Sequence, residues 1–260
     1  MINSLTMLSL LKPTVLFVFN WKRLVRLMIF PVSALMAVVV LAAFYPPVYL
    51  AETIQLKVEV NFYMLFLVVC VPGLILLSVM LRVQQILFFG EAEETNRLFL
   101  PKPDKNLFLY AAMCLKVMFL SFLLAILISF IAISLLQYIL PLPERKEMFF
   151  FGGIAICFPY LIIRFVLKLP ATAAGRSLKW LDAWQMTSRI NIMIAMLSAL
   201  FLIIPVLLLT IFQTMAKNIF SNEQILLFVS NFSVVCSVVL VCILHAAYCG
   251  YLFSLVSEKS

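Results

Sequence analysis

Six long apolar runs, separated by short polar segments, make up most of the chain. A helix needs ~20 residues to cross a bilayer, and each run is close to or beyond that length. Because backbone groups in hydrocarbon have to pair within their own element, the pattern predicts an all-α polytopic transmembrane helix bundle in a single domain. The predicted spans cover residues 27–45, 62–81, 108–138, 149–167, 192–212 and 225–256.

Two polar segments in the first half of the chain predict smaller elements. Residues 3–20 mix polar and apolar side chains and are interrupted by Pro13, so we expect one or two short helices lying at the membrane interface. Residues 48–61 alternate apolar and polar positions, which is typical of a short strand. This second segment is expected on the outer side of the membrane.

The longest polar break in the second half, Lys168–Asn191, predicts an interfacial helix between spans four and five. Gly175 is a suitable break, and Ser177 is a suitable N-cap for a helix from Leu178 to about Arg189. At ~100° per residue, one side of that helix carries apolar and aromatic residues and the other carries polar ones. The first side holds Trp180, Leu181, Ala183, Trp184 and Thr187; the second holds Lys179, Asp182, Gln185 and Arg189.

Composition and charge place the chain in a membrane and orient it. A content of 65% hydrophobic and 12% charged residues excludes a soluble globular domain. Four of the 19 Lys and Arg residues lie in the predicted outer segments, and the other 15 lie in the predicted inner ones. The positive-inside rule therefore predicts that the N- and C-termini are both cytoplasmic. Because the cations stand at the ends of apolar runs, the net charge of +8 does not indicate a nucleic-acid partner.

The polar residues offer little for catalysis. All eleven carboxylates fall outside the predicted spans, which argues against a proton-coupled carrier and against a transferase that holds a divalent ion. His245 is the single histidine, so catalytic triads and metal sites with several imidazoles are not expected. Cys242, His245 and Cys249 share one helical face, but no fourth ligand is identifiable. We predict no catalytic residue, no metal and no cofactor.

Lys116 and Arg164 are the cations that fall inside apolar runs. One interpretation is that Arg164 extends its side chain to the inner headgroups and acts as an anchor. The other is a site for a lipid phosphate, in which Arg82, Lys116, Arg164 and Arg176 converge at the inner leaflet. Trp21, Trp180 and Trp184 are expected to anchor the protein at the interface.

The chain also resembles a group of bacterial membrane proteins. The matching residues are Leu169-Pro170-Ala171-Thr172-Ala173-Ala174-Gly175, then Ser177-Leu178 and Ala183-Trp184-x-x-Thr187, and the Phe-Phe-Gly-Glu sequence within Arg82 to Glu91. They resemble a loose group of six-span inner-membrane proteins that includes the membrane domain fused to some glycerophosphodiester phosphodiesterases. The resemblance implies a bacterial inner-membrane location and no established activity. The chemistry of the phosphodiesterase is not carried over, because its catalytic domain has no counterpart in this sequence.

Two functions from different classes fit these features. The first is a non-enzymatic scaffold or accessory subunit that docks a protein partner or anionic lipid through a basic cytoplasmic face, chiefly residues 82–106 and 168–190. The second is a permease subunit for a lipid or another apolar solute, with the 82–106 segment coupling to an ATPase. A permease requires a path between its spans, lined by polar groups such as Asn231 or His245.

Overall fold

The computed structural model describes residues 7–44, 70–90, 105–139, 146–188, 191–220 and 222–257. Nine helices and no strand are found within these ranges. In chain order they are α1 (Met7–Val18), α2 (Trp21–Phe44), α3 (Val71–Phe89), α4 (Lys105–Ile139), α5 (Lys146–Phe165), α6 (Lys168–Ala173), α7 (Trp180–Ser188), α8 (Asn191–Ile219) and α9 (Glu223–Ser257). The strand predicted within 48–61 lies outside the described residues.

Among the described residues, six helical segments are long and apolar enough to cross a membrane. They are α2, α3, α4, α5 continued by α6, α8 and α9, and they correspond to the six predicted spans. The prediction of an all-helical protein is therefore confirmed for the described residues, as is the prediction of six helices long and apolar enough to cross a membrane. The short helix α1, with Pro13 inside it, supplies the helix expected near the N-terminus.

Two helices run beyond the ends that hydropathy predicts. Helix α3 continues past Arg82 to Phe89 and ends at Gly90, whose φ of 77° favours glycine. Helix α8 continues past Phe212 to Ile219, so Lys217 is helical instead of lying in a loop. Hydropathy marks where lipid contact would end, whereas a backbone stays helical until a residue such as glycine stops it.

The chain divides into two compact units. One spans Met1–Lys12, Asp104–Ala199 and Tyr248–Ser260, and the other spans Pro13–Pro103 and Leu200–Ala247. Helices α4 to α7 belong entirely to the first unit, and α2 and α3 belong entirely to the second. The placement of all spans in one domain stays a prediction.

Helices α4 and α5 form the core of the first unit. Val117, Ala125, Leu161 and Phe165 are buried together there, and Trp180 and Trp184 of α7 pack against them. Close approach of the two helices depends on Gly153, because a Cβ at this position would lie 2.7 Å from Oγ of Ser129. Small residues at such crossings let helices pack tightly in lipid, where the hydrophobic effect does not drive association.

Candidate functional site: a cation–tryptophan cluster

The turn after α6 folds α7 back toward α5. Gly175, with a φ of 69°, donates its N–H to the carbonyl of Thr172, and Arg176 donates its N–H to the carbonyl of Ala171. These two bonds form a Schellman motif, which ends a helix and satisfies its last carbonyls. The predicted break at Gly175 is confirmed, but α7 begins at Trp180, so Ser177 lies ahead of the helix and is not its N-cap.

The apolar and aromatic side of α7 packs against the core, except at Leu181. Ala183 and Thr187 are buried, Trp180 and Trp184 are half-buried, and Leu181 is exposed. The two tryptophans are one helical turn apart, so both rings reach the end of α5. Phe165 packs against both of them, with ring centroids 5.2 Å from Trp180 and 5.7 Å from Trp184.

Arg164 is held beneath Trp184 at the end of α5. Its side chain turns back one helical turn, and Nε and Nη2 donate to the Tyr160 hydroxyl at 2.9 and 2.7 Å. Cζ of Arg164 lies 4.6 Å from the centroid of Trp184, which is cation–π distance. Only 7% of the residue is exposed. An anchor that snorkels would extend toward Lys168 and the helix end, and the structure does not place this side chain in that way.

Nη1 of Arg164 is buried and has no hydrogen-bond partner. No ion pair joins Arg164 to a carboxylate among the residues that the structure describes. A buried donor left without an acceptor costs about 1–3 kcal/mol, and more when the group is charged. Nη1 therefore keeps two N–H groups that an acceptor could take up.

Lys168 is the second buried cation and is 7% exposed. Its Nζ lies 4.5 Å from the centroid of Trp180 and donates to the carbonyl of Leu178 in the turn before α7. Lys116 of α4 and Asp182 of α7 both interact electrostatically with Lys168, with opposite signs. Each buried cation thus stacks on one tryptophan of α7. We call Tyr160, Arg164, Lys168, Trp180 and Trp184 the cation–tryptophan cluster.

Thr187 ties α7 to the end of α5. Its fully buried hydroxyl lies 3.0 Å from the carbonyl of Arg164 and 2.9 Å from the carbonyl of Ala183. The last carbonyls of a helix lack partners within the helix, and the carbonyl of Arg164 shares the single Thr187 proton with those of Ala183 and Trp184. This contact fixes the position of α7 against the end of α5, and therefore the position of the Trp184 ring over the guanidinium.

The structure brings together only part of the phosphate site that the sequence predicts. Lys116 of α4 acts electrostatically on Lys168, whereas Arg176 is exposed in the turn. Arg82 lies on α3 in the other compact unit. Sequence reasoning did not assign Tyr160 or Lys168 to the site, although both are four residues from Arg164, which is the spacing of neighbours on a helix face.

The other predicted residues lie elsewhere. Trp21 is 74% exposed at the first residue of α2, and Asn231 and His245 are partly exposed on α9. No group of three or more His, Cys, Asp or Glu residues that could hold a metal ion occurs in the described ranges, and Cys242, His245 and Cys249 do not form one.

Comparisons with protein-family models, with curated proteins and with solved structures found no match. The resemblance to the six-span inner-membrane group therefore stays a prediction. What the arrangement can do follows from its chemistry: donors and positive charge in an apolar, aromatic setting favour a negatively charged acceptor.

Proposed function

We propose that this protein is a non-enzymatic, multi-pass protein of a bacterial inner membrane that binds anionic lipid on its cytoplasmic side. It acts there as a scaffold or accessory subunit. The asymmetry of Lys and Arg supports an orientation with both termini inside. In that orientation the cation–tryptophan cluster and the exposed cations Arg176 and Lys179 belong to the cytoplasmic side.

The observation that carries this proposal is a pair of buried cations that hydrogen-bond no carboxylate of the described residues. Arg164 and Lys168 are each 7% exposed, and each is covered by a tryptophan. Burying a charge is costly unless it is compensated, so such a pair is expected where an anion is available. Anionic headgroups are the most abundant anions at the cytoplasmic leaflet of a membrane.

The test measures the phospholipids that stay with the full-length protein after purification in mild detergent. We expect anionic lipids to be enriched over zwitterionic ones, and Arg164→Gln with Lys168→Gln to reduce the enrichment at least tenfold. A hydrogen bond to a charged group contributes about 1.5–3 kcal/mol, so loss of the donors of both buried cations should exceed tenfold. Arg176→Gln with Lys179→Gln is the matched control, because it removes the same charge from exposed positions. Absence of enrichment in the wild type would reject the proposal, and equal losses in both variants would reject the role of the cluster.

One observation favours the second candidate, a permease subunit. Gln84 of α3 is 0% exposed, and neither Nε2 nor Oε1 has a hydrogen-bond partner. Buried polar groups within a span are costly and often mark a transport path.

A path can be detected by labelling Gln84→Cys with a small water-soluble thiol reagent, in a variant whose six native cysteines are replaced by alanine. Labelling is expected only if water reaches this position. Val79→Cys is the control, because Val79 is also 0% exposed on α3 but apolar. Labelling of Gln84→Cys alone would favour the permease, and labelling of neither would exclude a hydrated path at Gln84.

A further inference from the structure

We infer that the cation–tryptophan cluster is a binding site for one phosphomonoester group. This inference rests on the proposed lipid-binding function and specifies the headgroup that the site takes. The site is built from hydrogen-bond donors of the cluster that have no acceptor among the described residues. Tyr160 accepts two hydrogen bonds from Arg164, so its hydroxyl oxygen has both lone pairs engaged and keeps only its proton to donate.

The unused donors belong to three side chains of the cluster. Nη1 of Arg164 has two N–H groups without a partner, and the Tyr160 hydroxyl has one O–H. Nζ of Lys168 donates one of its three N–H groups to the carbonyl of Leu178, which leaves two. A ligand that satisfies them has to be rich in acceptor oxygens and lack donors. Phosphate has this character, and arginine binds it with a planar array of N–H groups.

The charge of the cluster selects among phosphate groups. Arg164 and Lys168, each 7% exposed, contribute two positive charges to the cluster. A phosphomonoester carries about −1.5 to −2 charges at neutral pH, whereas a diester carries about −1. The monoester therefore matches the cluster, and a simple diester leaves one cation uncompensated.

Access runs along the Tyr160 edge of the cluster. Tyr160 is 40% exposed, while Arg164 lies behind it and under Trp184. A headgroup that contacts the exposed part of Tyr160 is one side chain away from Arg164, whose Nη1 is buried. Because each tryptophan of α7 covers a cation, binding changes the surroundings of both indoles.

The experiment follows tryptophan fluorescence of the full-length protein carrying Trp21→Phe. The chain has three tryptophans, so the remaining signal comes from Trp180 and Trp184. The protein in detergent is titrated with phosphatidate, a lipid monoester; with phosphatidylglycerol, a lipid diester of charge −1; and with inorganic phosphate. We expect a saturable change with phosphatidate at one lipid per protein, and at least tenfold weaker binding of phosphatidylglycerol.

Substitutions that conserve charge separate this inference from general lipid attraction. Arg164→Lys keeps the positive charge but loses the planar array, so phosphatidate affinity should fall at least tenfold while enrichment of anionic lipids persists. Tyr160→Phe should lower the affinity threefold or more, with Arg164 intact. Arg176→Lys, in the exposed turn, should stay within twofold of the wild type.

Each outcome decides a different point. The monoester site is overturned if phosphatidate binds the Arg164→Lys and Tyr160→Phe variants as tightly as the wild type. It is also overturned if phosphatidylglycerol binds as tightly as phosphatidate. In both cases the lipid-binding function still stands. Inorganic phosphate that binds as tightly as phosphatidate supports the site but identifies its ligand as the free ion. No enrichment of anionic lipid and no fluorescence response overturn both proposals.

Discussion

At the scale of single residues, Thr187 controls how firmly α7 sits on α5. Its hydroxyl contacts the carbonyl of Arg164 across the two helices. Thr187→Val keeps the shape and removes the donor, so we expect α7 to detach more often, with a loss of about 1–2 kcal/mol in local stability. Trypsin cleavage after the exposed Arg176 reports the detachment and should become about fivefold to thirtyfold faster.

Thr172 provides the control for this prediction. Its hydroxyl donates to the carbonyl of Lys168, four residues earlier and within the same helix. Thr172→Val therefore removes one hydrogen bond without affecting the contact between α5 and α7. If both variants changed the cleavage rate by the same factor, the interhelical contact of Thr187 would have no special role.

The candidate site could be predicted only in part from single residues. Arg164 stands out in the sequence because it is a cation inside an apolar run. Its conformation could not be predicted, because the side chain chooses between the end of α5 and Tyr160 according to where Trp184 lies. Trp184 is 20 residues away in the sequence, and its position depends on the turn at Gly175 and the packing of α7.

At the scale of helices, the crossing of α4 and α5 positions the cluster. Gly153 faces Ser129 so closely that an added Cβ would approach Oγ to 2.7 Å and Cβ to 3.1 Å. Gly153→Ala should push the helices apart and destabilise the protein by about 1–3 kcal/mol, measured by thermal unfolding in detergent.

Two further variants make this prediction specific to the crossing. Gly152→Ala lies next to it in α5, and nothing lies within 4 Å of a Cβ added there, so it should be neutral or slightly stabilising. Ser129→Gly combined with Gly153→Ala removes the opposing side chain and should recover part of the loss. A Gly153→Ala protein as stable as the wild type would show that α4 and α5 can separate freely.

Helices were easier to predict than their ends. The apolar runs predict α4 and α9 nearly completely, since their composition is uniform over more than 30 residues. The end of helix α3 was predicted too early, because Arg82, Gln84 and Gln85 resemble the end of a span. Gln84 and Val83 are both buried, so this turn is stabilised by packing that hydropathy does not detect.

At the scale of the whole molecule, the predicted orientation rests on an even number of crossings and on the distribution of charge. Ser177 lies between spans four and five and Asn222 lies between spans five and six, and both are exposed. If the basic segments face the cytoplasm, Ser177 is inside and Asn222 is outside. Single cysteines placed at these positions, in the protein without native cysteines, distinguish the two sides.

In intact cells, an impermeant thiol reagent should label Asn222→Cys, and it should label Ser177→Cys only after the membrane is opened. The reason is energetic: moving the cations around Arg176 and Lys179 to the outer face would act against the membrane potential, at about 2.3 kcal/mol per charge for 100 mV. Labelling of both positions from outside would mean that α8 does not cross. The reverse pattern would place the cation–tryptophan cluster at the outer leaflet, where the lipid-binding proposal fails because anionic headgroups at the cytoplasmic leaflet could not reach Arg164.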